Sequence, residues 1–97
     1  MPTHDEASRF WRDWATLSER ERQLFKRAMH EMVDDLKAGR GFRPGLRVKG
    51  LRRRRGVFEM SWAPGGRALF TYGVSPHKGD VHVTWLRIGT HAILDEA

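Results

Sequence analysis

The sequence predicts an α+β fold in which an N-terminal helical hairpin packs on a small antiparallel β-sheet. Three observations carry that reading. The 97-residue chain divides near Gly39–Gly41, with helical periodicity before the break and short alternating segments after it. Apolar residues in the first part mark one helical face, which needs a partner layer. In the second part they mark one strand face, which can be that layer.

The first helix is assigned to "EASRFWRDWATL", where Phe10, Trp11, Trp14 and Leu17 form a helical stripe, with a short strand near its start as the alternative. A turn at Thr16–Ser18 leads to the clearest element of the chain. Ser18 is the N-cap and Glu21 its capping-box partner three residues on. Leu24, Phe25, Ala28, Met29, Met32, Val33 and Leu36 then follow at helical spacing, and Gly39 ends the run behind Lys37. "FRPGLRV" is turn-rich. "VFEMSW" and "RALFTYG" flank "APGG" as a hairpin. A Pro64-Gly65-Gly66 loop would pair Trp62 with Ala68, Met60 with Phe70 and Phe58 with Tyr72, leaving Glu59, Ser61, Arg67, Leu69 and Thr71 on the other face. "VHVTWLRIG" supplies a third strand, with room for a short fourth. The helices are expected to cover the apolar sheet face and to leave the polar face open, all within one domain spanning 1–97.

Charge is one-sided. Residues 1–40 hold eight Lys/Arg against eight Asp/Glu, while residues 41–97 hold ten against four and carry the whole net charge of +6. The density peaks over 43–55, with Arg43, Arg47, Lys49, Arg52, Arg53, Arg54 and Arg55 and no acid. Such a patch fits a polyanion, either nucleic acid or an acidic partner protein.

Several classes are disfavoured. The chain has no cysteine, so it has no disulfide framework and no thiolate metal site. Five histidines (His4, His30, His77, His82, His91) include no i, i+4 pair, and no metal or cofactor is expected. The glycines form no phosphate loop, and Ser61 has no neighbouring base. The polar, acidic start is unlike a signal peptide, and no apolar run approaches the roughly 18 residues of a membrane span. A soluble cytoplasmic protein without membrane contact is expected.

What remains is a small domain with a basic face and a few candidate acid–base groups, a set shared by nucleic-acid-binding domains and by metal-free RNA cleavage. Arg67 and Glu59 stand on the polar face, and Arg87 and His91 near the end of the last strand. Cleaving RNA needs a base for the 2′-hydroxyl, an acid for the leaving 5′-oxygen and cations for the phosphorane. Histidine and carboxylate suit the first two roles and arginine the third.

"FRPGLRVKGLR", "GVFEMSWAPGGRALFTYG" and "HVTWLRIGTHAIL", in that order behind a capped amphipathic helix, resemble the RelE/ParE superfamily of type II toxin–antitoxin toxins over about residues 8–94. The resemblance implies a RelE-like microbial RNase fold with a twisted antiparallel sheet, a cognate antitoxin partner, and cleavage of mRNA on the ribosome to a 2′,3′-cyclic phosphate. It places Arg67 on the hairpin arginine that contacts the scissile phosphate and His91 near a C-terminal proton-transfer position. Glu59 falls where a carboxylate base acts in one branch, and Arg87 is a second candidate phosphate ligand. Lys49 and Arg52 resemble residues that engage RNA or ribosomal RNA; Arg47 and Arg53, Arg54 and Arg55 extend that docking surface. The chain departs from many relatives in having a short polar lead in place of a clear first strand. It also has Trp62 where several carry a second arginine, and no aromatic residue after His91. A gyrase-inhibiting ParE-like toxin and a non-catalytic nucleic-acid-binding module of the same fold are the alternatives.

Overall fold

In the computed structural model, which describes residues 2–76 and 79–96, the helical expectations are met and the sheet is larger than expected. His77 lies outside the described residues. A first strand, β1 (Thr3–Glu6), precedes α1 (Ser8–Trp14) and α2 (Glu19–Ala38). A 3-10 turn (Pro44–Leu46) leads to β2 (Lys49–Gly50), β3 (Val57–Ala63), β4 (Gly66–Gly73) and β5 (His82–Thr90), and a 3-10 helix (His91–Glu96) closes the chain.

Both caps of α2 form as read. Ser18 and Glu21 exchange the two hydrogen bonds of a capping box, and Gly39 adopts the left-handed conformation with φ 69°. The turn between the helices is tied by Arg22, whose guanidinium donates to the Trp14 carbonyl at 3.1 Å and lies over the Trp14 ring. The buried stripe of α2 (Phe25, Ala28, Met32) packs with Phe10, Phe70 and Trp85 into one aromatic-rich core. Burying a side chain such as Met32 or Phe70 contributes about 1.5–3 kcal/mol.

The sheet corrects three expectations. It is five-stranded and mixed, in the order β1-β5-β4-β3-β2, with β1 parallel to β5 and every other pair antiparallel. The polar lead is therefore a strand after all. It is held by β5: Thr84 Oγ1 donates to Asp5 at 2.6 Å, and His82 bridges Thr3 and Asp5.

The hairpin register is the second correction. Phe58 pairs with Phe70, Met60 with Ala68 and Ser61 with Arg67, and the pairing shifts at Trp62 so that Ala63 meets Gly66. This is a two-residue slide from the expected pairing, so every side chain keeps its face. The slide follows from the indole of Trp62 lying on Gly66, where an added Cβ would stand 2.7 Å from the ring.

Thirdly, the far face of the sheet is partly covered. The closing 3-10 helix lays Ile93 against Val57 and Leu69, with Leu51, Leu86 and Leu94 around them, as a second small core. What stays open on that face lies around Glu59, Ser61 and Arg67. Among the described residues no helix is long and apolar enough to cross a membrane.

Candidate functional site

The open part of the far face is a cleft of about 360 Å³, lined by Pro44, Arg47, Val48, Lys49, Glu59, Ser61, Arg67 and His91. Four segments build it. β3 and β4 set Ser61 and Arg67 side by side as a directly opposed pair. The 3-10 turn delivers Arg47 from a left-handed backbone with φ 49°, a conformation costing a residue with a Cβ about 1–2 kcal/mol. β2 brings Lys49 opposite Glu59. His91 begins the closing 3-10 helix, and its amide donates to the Gly65 carbonyl at 2.8 Å, pinning the imidazole's backbone beside the hairpin loop.

The charges are arranged with cations at the rim and one carboxylate at the floor. Glu59 is 5% exposed and its carboxylate meets the exposed Lys49 ammonium at 3.3 Å. Arg67 gives one N–H to the Gly66 carbonyl at 2.8 Å, which fixes the guanidinium and leaves its other donors for a ligand. Of the residues singled out in the sequence, Arg47, Lys49, Glu59, Arg67 and His91 thus converge on one cleft.

Arg87 does not join them. Its guanidinium grips Asp13 through two hydrogen bonds, at 2.7 and 3.3 Å, and the same carboxylate accepts the Ile88 amide. That pair clamps α1 to β5, and the arginine is nearly buried. Arg43, counted in the basic run, is similarly engaged: its side chain and amide all reach the buried carboxylate of Asp35.

Arg52, Arg53, Arg54 and Arg55 form an exposed loop between β2 and β3, and their side chains make no hydrogen bond or ion pair among the described residues. The loop is closed at its base, where Leu51 N donates to the Val57 carbonyl at 2.8 Å and Val57 N to the Arg54 carbonyl at 3.2 Å. The four arginines therefore stand as a fixed basic knob next to Lys49. Sequence reasoning missed the left-handed Arg47 backbone, which nothing in "PGLRV" announces, and the contribution of Ser61.

Two helices packed on a five-stranded mixed sheet make a fold that the chain shares with solved toxin structures. Among solved structures, the chain is similar to the DinJ–YafQ toxin–antitoxin complex of E. coli, with TM-score 0.69 and 14% identity over 96% of both chains. It is similar to a copper-bound mutant toxin from Helicobacter pylori, with TM-score 0.63 and 17% identity over 97% of this chain and 99% of that one. A third likeness is to the RelB–RelE antitoxin–toxin complex of Methanococcus jannaschii, with TM-score 0.59 and 11% identity over 94% of each chain. No protein-family model matches the sequence, and no curated protein matches it.

Proposed function

We propose that the chain is the toxin of a type II toxin–antitoxin pair, an endoribonuclease that cuts mRNA on the translating ribosome and so stops translation. The observation that carries this reading is the gathering of Arg67, His91 and Glu59 in one basic cleft of a fold shared with toxins. Two of the solved structures it resembles are toxin–antitoxin complexes, which supports a cognate antitoxin as its protein partner. Ribosome-directed activity would be exerted in the cytoplasm.

In this mechanism the Glu59 carboxylate, 3.3 Å from the Lys49 ammonium, takes the proton of the 2′-hydroxyl. The 2′-oxygen attacks phosphorus, and the bond to the 5′-oxygen breaks. His91, as the general acid, gives that oxygen a proton, leaving a 2′,3′-cyclic phosphate and a free 5′-hydroxyl. Arg67 and Arg47 stabilise the charge that builds on the phosphorane. The basic knob of Arg52 to Arg55 binds ribosomal or messenger phosphates nearby and takes no part in the proton transfers.

Mapping mRNA 5′ ends shortly after induction tests the reading. Codon-phased cuts that need translating ribosomes, and vanish with Arg67→Ala, are expected. DNA supercoiling failing before translation would replace this reading with gyrase inhibition. Growth arrest with neither effect would leave a non-catalytic binding module.

A further inference from the structure

A second and larger cleft, of about 550 Å³, adjoins the first between α2 and the β3–β4 hairpin. Its size falls within the range of about 300–1,000 Å³ typical of small-molecule sites. Leu24, Ala28, Leu46, Trp62, Ala63 and Pro64 give it a largely apolar lining. Arg47, Ser61 and Arg67 line both clefts and so form the ridge between them.

We infer that this hollow is a nucleobase subsite, taking the base of the nucleotide next to the phosphate gripped at Arg47 and Arg67. The inference rests on the ribonuclease reading and adds to it where the substrate's base goes. RNA alternates an anionic phosphate with a flat, largely apolar base. The surface alternates in the same way, from an arginine ridge to a hollow of methyl and ring groups. Charge points the same way. Arg27, Arg47 and Arg67 border the hollow against one carboxylate, Glu31, which stands 3.4 Å from Arg43. An acidic peptide would find cations at the rim but none within the apolar lining. An uncharged apolar helix would leave the ridge arginines without a partner. Arg27 and Glu31, as donor and acceptor at the hollow's border, can pair with base edges, so this cleft would also set base preference.

Gly45 makes the inference testable. It lines the hollow, and a Cβ built there meets nothing within 4 Å, so a large side chain can be placed at the hollow's border without clash. The experiment titrates isotope-labelled protein with an uncleavable 2′-O-methyl RNA trinucleotide and with its abasic counterpart. The buried indole N–H of Trp62, which has no hydrogen-bond partner among the described residues, serves as reporter. The base-bearing probe should bind about tenfold tighter, the scale of one well-placed base contact, and should shift the Trp62 and Ala28 signals. Gly45→Trp should remove that advantage while Gly45→Ala keeps it. If Gly45→Trp does not fold, Gly45→Glu carries the same test by placing a carboxylate in the hollow. Equal affinity for both probes, with shifts confined to Arg47 and Arg67, would overturn the subsite and leave the ribonuclease reading standing. Binding of neither probe would overturn the subsite, while the ribonuclease reading stands or falls on the cleavage map. Polyglutamate shifting the Trp62 signal as strongly as RNA would give the hollow to an acidic protein instead, and would sink the inference.

Discussion

Lys49 and Glu59 face one another across β2 and β3, and their side chains meet at 3.3 Å with the lysine exposed and the carboxylate buried. The pair sits inside the cleft that holds Arg67 and His91, so it can serve chemistry as well as folding. Replacing Glu59 with Gln keeps the shape and removes the base. Cleavage should fall about 10²–10⁴-fold, with the melting temperature little changed. Lys49→Met should instead cost about 1–3 kcal/mol of stability, because it leaves the buried Glu59 carboxylate without the Lys49 ammonium. Undiminished cleavage by Glu59→Gln would remove Glu59 from the mechanism.

Arg67 is the cleft cation whose guanidinium is fixed by a backbone carbonyl, and it stands directly across from Ser61. Losing a preorganised donor of this kind costs about 10²–10³ in rate. Arg67→Ala should show that loss in single-turnover cleavage, with stability within about 0.5 kcal/mol of wild type. Arg67→Lys should recover only part of it, since an ammonium cannot grip two phosphate oxygens in a fork. Equal toxicity of Arg67→Ala and wild type would refute the assignment.

Much of this arrangement was legible in residue order, and the failures have physical causes. The capped helix α2 was readable because caps and periodicity are local. The faces of the hairpin were readable too, yet its register was not, since a two-residue slide leaves binary patterning unchanged. Only the close seat of Trp62 on Gly66 decides between the two. β1 was only an alternative in the sequence because Thr3–Glu6 is polar throughout and owes its strand conformation to parallel pairing with β5, which lies far along the chain. Arg67 and Arg87 look equivalent as strand arginines. They differ in one fact that sequence does not carry, which is that Asp13 reaches Arg87.

That ion pair makes Arg87 a folding residue. Asp13 receives Arg87 and the Ile88 amide together, and the exposed Arg9 lies 3.6 Å away, so removing the guanidinium leaves a nearly buried carboxylate with the amide and that exposed ion pair only. Arg87→Ala should destabilise the protein by about 1–3 kcal/mol in urea unfolding. The fraction that remains folded should cleave at close to the wild-type rate. A stable Arg87→Ala protein with lost activity would return Arg87 to the chemistry.

The four loop arginines should behave as phosphate contacts of similar and modest weight. Their backbone is closed at Leu51 and Val57, so neutralising a side chain does not open the loop. Each of Arg52→Ala, Arg53→Ala, Arg54→Ala and Arg55→Ala should weaken ribosome or RNA binding without changing the cleavage position. Each true phosphate contact removed should lower the slope of log affinity against log salt by about 1. A variant whose slope stays at the wild-type value marks an arginine that points away from the nucleic acid.

Asp35 and Arg43 set the acid limit of stability. Hydrogen bonds from the Arg43 side chain, then from its amide, hold the Asp35 carboxyl at about 2, below its ordinary 3.8, against the opposing effect of desolvation. The folded state therefore binds this proton more weakly than the unfolded state does. The contribution of the pair is complete above pH 3.8 and is lost as pH falls from there through about 2. Other carboxylates protonate over the same range, so the decisive quantity is a difference between proteins. Urea midpoints of wild type should fall more steeply between about pH 4 and pH 2 than those of Asp35→Asn, which has no such proton to take up. The two curves should run parallel above pH 5, with wild type the more stable, because an amide cannot match the charge-assisted bonds to Arg43. Parallel curves down to pH 2 would mean that Asp35 titrates alike in the folded and unfolded chains, and that Arg43 is free for the polyanion after all.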